Sequence, residues 1–292
     1  MSKKSPPKTA ANPAQAEIPI QPVSKPILCS PFVEPDRHWV YDTQTGDARE
    51  EAGRRPASYW YRTQRTGSAQ RSLLVEEERD DLPLVNLLRE DVRRWRESNY
   101  RNATPVTRQL LAHWSRTDRP RRLFFCQREA VETVIYLNEI LASGRKTGFT
   151  PRLSPTDYQA LIAGHRPSFI TESEPKVLPT LSDPATRSSP SPQGGEGRGE
   201  GALLRYGCKM ATGSGKTVVM AMLMAWAFCN RGRTPGDERF PSAALVVCPN
   251  LTIYERLQVL RTDRADSYYR DFDIVPAPLM PELLKGRVLI SN

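Results

Sequence analysis

The octapeptide Met210-Ala-Thr-Gly-Ser-Gly-Lys-Thr217 lies between an apolar stretch, LLRYGCKM at 203–210, and a second one at 218–228. Glycines at 213 and 215 allow the backbone to curl so that successive N–H groups converge on phosphate oxygens. A helix starting there adds the partial positive charge of its N-terminus. Lys216 is then placed to reach β- and γ-phosphates, and the Thr217 hydroxyl to ligate Mg2+. Residues 203–210 read as the strand that enters this loop, and 218–228, apolar almost all round, as a buried helix that leaves it. The general pattern GxxxxGK[ST] opens with glycine, and here Met210 stands in that position.

The strand-and-helix alternation continues toward the C-terminus. The run AALVVC at 243–248 is continuously apolar, as expected of a strand covered on both faces in a parallel sheet. A short helix is predicted over 252–260 and a further strand over 287–290. These elements predict an α/β fold in which the phosphate loop joins a parallel sheet to a buried helix. Toward the N-terminus the pattern is helical. Val85, Leu88, Val92 and Trp95 recur at helical spacing within 84–97. Thr104 followed by Pro105 marks the start of a second helix through Leu110, Leu111 and Trp114. A third runs from near Gln127 to about 143.

The remaining segments are of another kind. Residues 1–27 read as a disordered leader, and 42–55 as a charged loop within an aromatic-bearing region, 28–61. Residues 172–202, rich in Pro, Gly and Ser, read as a low-complexity insertion rather than a boundary. The expected division is therefore a leader 1–27, a mainly helical extension 28–120, and a nucleotide-binding unit 121–292 that carries the insertion.

Composition narrows the function classes. The 292 residues carry 42 Lys+Arg against 33 Asp+Glu, a net charge of +9 that suits a polyanionic partner. No apolar run reaches bilayer-spanning length, so no membrane partner is expected, and the N-terminus lacks the apolar core of a secretory signal. The five cysteines form no CxxC pair, which disfavours a disulfide framework or structural zinc and favours a cytoplasmic location.

ATGSGKT after an apolar residue resembles motif I of superfamily 2 helicases and translocases. Upstream, Arg122-Leu-Phe-Phe-Cys-Gln-Arg-Glu-Ala130 is similar to that superfamily's Q-type motif. Downstream, Val246-Val-Cys-Pro-Asn-Leu-Thr-Ile-Tyr-Glu-Arg-Leu257 is similar to motif Ia. Within the superfamily the resemblance is to the Res subunit of type III restriction enzymes and the UvrB-like N-terminal helicase domain, over 121–171 and 203–292.

The resemblance implies a P-loop NTPase (RecA-like) parallel sheet binding ATP and Mg2+. Thr212, Gly213, Ser214, Gly215, Lys216 and Thr217 would hold the phosphates, with Lys216 also catalytic and Thr217 on the metal. Gln127 would read the adenine edge, with Phe124 or Phe125 packed on the base, while Pro249, Asn250 and Thr252 would approach DNA. Double-stranded DNA, held weakly or not at all by this chain alone, is the implied macromolecular partner, with a modification subunit as a second.

One part of the pattern is missing. No Asp-Glu pair follows an apolar strand after Thr217; Asp237-Glu238 sits in a loop, and the acidic run ending at Glu78 precedes the loop and reads as the solvated start of the helix at 84–97. The resemblance then implies a partial RecA-like domain, incomplete at the C-terminus and without its DExx box or second lobe, that does not hydrolyse ATP by itself. Two alternatives stand beside it: a stand-alone nucleotide-binding protein not acting on DNA, and an inert truncated product.

Overall fold

The computed structural model describes residues 22–42, 45–62, 77–144, 147–163, 165, 167–170 and 205–292. Most of the leader and the whole low-complexity insertion fall outside them.

The chain begins with two antiparallel strand pairs. Strand β1 (Arg37–Tyr41) pairs with β2 (Ala48–Ala52), Arg37 opposite Ala52 and Tyr41 opposite Ala48. Asp42 closes the turn: its N–H donates to Asp47 O at 2.8 Å, and its own carbonyl accepts from Gly46 N at 2.9 Å. The expectation of a loop over 42–55 is thus corrected, because this tight turn brings two charged segments into ladder register. Strand β3 (Ser58–Arg62) pairs likewise with β4 (Glu77–Asp81). Glu77 and Glu78 therefore belong to a strand and not to the start of a helix.

Three helices follow. Helix α1 (Pro83–Glu97) buries Leu88, Val92 and Trp95 of the stripe seen in the sequence, whereas its first member, Val85, is exposed. Helix α2 (Pro105–Ser115) starts where expected: the Thr104 hydroxyl accepts from Thr107 N at 3.1 Å and Pro105 fills the first turn. Helix α3 (Phe125–Ile135) begins two residues before Gln127 and runs into a π-helical turn, Tyr136–Leu141. The turn brings Glu139 into the interior, where its carboxylate accepts from Thr107 Oγ1 at 2.8 Å and Trp226 Nε1 at 3.1 Å, and from Thr104 N. After the short α4 (Pro155–Ile162), the central helix α5 (Lys216–Arg233) buries residues on every side, from Val218 and Met222 to Phe228 and Cys229.

Strand β5 (Ala243–Val247) leads to α6 (Leu251–Leu257) and a 3-10 turn, Gln258–Leu260. The one-turn helices α7 (Tyr268–Asp271) and α8 (Met280–Leu283) precede β6 (Arg287–Ser291), which pairs in parallel with β5, Leu245 opposite Leu289. Trp114 Nε1 donates to Ile274 O at 2.8 Å and Tyr269 OH to Leu260 O at 2.8 Å, so α2 and the C-terminal segment close around α5.

The expected α/β P-loop NTPase (RecA-like) sheet is contradicted. The described residues contain three separate two-stranded sheets, and only β5–β6 is parallel. Of the entering strand expected over 203–210, positions 203–204 lie outside the described residues, and Arg205–Met210 runs without ladder pairing among them and is exposed apart from Met210. A strand holds its shape only when a neighbour takes up its backbone N–H and C=O groups, and among the described residues none pairs with this segment. Strand β5, expected to be covered on both faces, is covered on one. Ala244, Val288 and Ile290 pack on the core, whereas Leu245, Val247 and Leu289 are 67%, 72% and 63% exposed. Among the described residues no helix is long and apolar enough to cross a membrane.

Two expectations test this architecture. Thr104→Ala removes the α2 cap and its bond to Asn230 Oδ1, and should lower unfolding stability by about 1–2 kcal/mol in urea denaturation. Cys126 and Cys208 are exposed, while Cys229 is buried and its thiol is pushed up to about 12 by desolvation. A thiol-specific reagent should therefore modify the first two in the native chain and reach Cys229 only on unfolding.

Candidate functional site

The segment 211–217 forms a turn that depends on two left-handed glycines, Gly213 at φ +77° and Gly215 at φ +79°. Three donors converge on the Ala211 carbonyl: Ser214 N at 3.3 Å, Ser214 Oγ at 2.7 Å and Lys216 Nζ at 2.8 Å. The Lys216 ammonium thus reaches back from the exit of the turn to its entrance. Gly215 caps α5, its carbonyl accepting from Val218 N at 2.9 Å. The amides of Lys216 and Thr217 belong to the first turn and have no acceptor within the helix. Lys216 is exposed and Thr217 half-buried. Thr212, also exposed, sits just before Gly213.

Gln127 is the second part of the site. Its side chain is buried, and both ends of its carboxamide meet backbone. Oε1 accepts from Phe124 N at 2.8 Å, and Nε2 donates to Ser214 O at 3.0 Å. Gln127 occupies the third position of α3, from which a glutamine can reach back to the N-cap amide. A Cβ on Gly215 would lie 2.1 Å from Gln127 Nε2, so position 215 requires glycine for its φ and again for this approach. The structure therefore brings Gln127 against the loop. The sequence reading missed this bracing of the loop, although a glutamine three residues into a helix was a usable signal.

The two phenylalanines beside it diverge. The Phe124 ring lies 5.7 Å from that of Phe32, over which the Arg122 guanidinium stands at 4.3 Å. Phe125 is buried, with the guanidinium carbons of Arg96, Arg54 and Arg128 at 5.1, 5.5 and 5.9 Å from its centroid. Pro249, Asn250 and Thr252 are exposed at the end of β5. Asn250 caps α6, its side chain accepting from Ile253 N at 2.9 Å. Among the described residues no hydrogen bond or ion pair joins these three to the glycine turn. No group of three or more His, Cys, Asp or Glu able to hold a metal ion occurs among the described residues either.

Compared with known proteins, the chain matches no protein-family profile, no curated protein and no solved structure.

Gly215→Ala should displace the Gln127 carboxamide and strain the turn. It is expected to destabilise the chain by about 1–3 kcal/mol, read as a lower denaturation midpoint. The same change at Gly207, where a Cβ meets nothing within 4 Å and φ is not left-handed, should be nearly silent.

Proposed function

We propose that this chain binds a nucleoside triphosphate, with ATP as its ligand, through the turn at 211–217. The observation that carries the reading is the pairing of two left-handed glycines with the start of the long buried helix α5. Such a turn presents backbone N–H donors, a helix N-terminus and a lysine ammonium to one anion. Lys216 is bound to a neutral carbonyl, a partner that a phosphate oxygen replaces with a stronger, charge-assisted bond. The donor set, amides with one ammonium and the hydroxyls of Thr212, Ser214 and Thr217, fits phosphate with Mg2+; Thr212, Gly213, Ser214 and Gly215 line the turn, and Thr217 supplies the hydroxyl for the ion.

Motif order and the net charge of +9 support a helicase-like, restriction-type role with double-stranded DNA as partner and a modification subunit beside it. In that reading Phe124 serves the base, and Pro249, Asn250 and Thr252 touch the DNA backbone. A second reading, a nucleotide-binding protein that does not act on DNA, is favoured by the parallel sheet being two strands wide among the described residues. Either role fits a cytoplasmic chain with five free cysteines.

Thermal unfolding tests the reading. Mg-ATP at a hundredfold its Kd should stabilise the chain by about 2.7 kcal/mol, seen as a rise in Tm. Lys216→Ala should weaken ATP at least tenfold and so cut that stabilisation to about 1.4 kcal/mol or less at the same ligand concentration, leaving DNA affinity at low salt intact. A wild-type Tm indifferent to Mg-ATP sinks the proposal. An ATP response without salt-dependent DNA binding selects the second reading.

A further inference from the structure

Gln127 stands on a helix whose start is held from several directions. Phe125 N donates to Pro31 O at 2.8 Å and Arg128 Nη2 to Phe32 O at 3.0 Å, tying the first turn of α3 to the segment before β1. Arg54, just after β2, forms a two-pronged pair with Glu129, its Nη2 at 2.6 Å from Oε2 and its Nη1 bonded to Oε1. Arg96 of α1 grips Glu132 at 2.6 Å and reaches Glu34 at 3.4 Å, and Tyr100 OH donates to Glu132 at 2.8 Å. Glu129 and Glu132 are both buried, so these pairs are screened little by solvent. Burial pulls the Arg96 guanidinium down, but the Glu132 carboxylate outweighs it and the net shift is upward. Arg96 therefore stays charged at any ordinary pH.

We infer that Gln127 is a positioning residue for the glycine turn, and that Arg54, through Glu129, steadies the helix that carries it. The carboxamide has one oxygen and one nitrogen, and each already meets a backbone group, Phe124 N on its own helix and Ser214 O in the turn. Held by backbone at both ends, the carboxamide is fixed against the turn, and its effect on a ligand is exerted on the phosphates through the loop. The N-terminal strand pair β1–β2 acts on the same loop at second hand, through the Arg54–Glu129 pair. This inference rests on the nucleotide reading for its ligand but not for its geometry, and the two are separable by experiment.

The test uses the full chain with two probes, Mg-ATP and Mg-tripolyphosphate, in calorimetric titrations, and backbone amide exchange without ligand. Gln127→Met should weaken both probes by the same factor, about tenfold for one lost bond to the loop. Arg54→Met should weaken both about threefold, again in equal proportion. In the ligand-free chain Gln127→Met should speed exchange at the amides of 213–217 and leave those of 221–228 unchanged. If Gln127→Met does not fold, Gln127→Glu keeps the acceptor for Phe124 N, loses the donor to Ser214, and should show the same loop-confined exchange. Loss of ATP affinity with tripolyphosphate affinity unchanged would overturn the inference in favour of base reading, as would loop exchange indifferent to both variants. A wild-type chain that binds neither probe removes the nucleotide reading, while the exchange result still decides whether Gln127 holds the turn.

Discussion

Burial of α5 on all sides is the constraint from which the rest of the structure follows. A helix that exposes no polar face cannot lie on a surface; it has to be wrapped. The wrapping is done by α2 and α3 on the N-terminal side of the chain and by α7, α8 and the covered face of β5–β6 on the other. Because the helix is fixed along its length, its first turn is fixed too, and the glycine turn that enters it inherits that rigidity. A loop able to hold an anion in one place needs such a support, since amides that move freely lose their combined pull on a charge.

The polar contacts inside this assembly are few and placed where elements meet. Glu139, Thr104, Thr107, Trp226 and Asn230 interlock α2, the π-helical turn and α5. Asp91 of α1 accepts from the N–H groups of Arg152 and Leu153 at 2.7 and 2.9 Å, pinning the segment that precedes α4. The buried carboxylates Glu139 and Asp91 each have donors matched to them, as an interior with a low dielectric requires. These bonds set which helix meets which at what register, while the apolar contacts supply the bulk of the stabilisation.

How far the sequence could be read depends on whether a feature is local. The α1 stripe, the Thr104–Pro105 start of α2, the apolar length of α5 and the strands β5 and β6 are properties of contiguous residues, and they are found in the structure. Arg205–Met210 is the counter-example: its residues suit a strand, but a strand exists only with a neighbour, and neighbours are not written in the segment itself. The same lack of local signal hid the pairing of β1 with β2 and of β3 with β4. At the candidate site the glycines could be recognised because each position makes a conformational demand of its own. The contact of Gln127 with Ser214 joins positions 87 apart in the chain, and its partner could not be named before the fold was in hand.

The π-helical turn at Tyr136–Leu141 lets one rod do two unlike jobs. A wider turn takes up an extra residue, and one residue corresponds to about 100° of rotation around a helix axis. The face that carries Gln127 and Val131 is thereby released from having to continue in line as far as Glu139. One end of the rod can be tuned to the glycine turn while the other keeps its grip on the threonine–tryptophan cluster. Changes at either end need no matching change at the other, an independence that an unbroken helix of the same length would not possess.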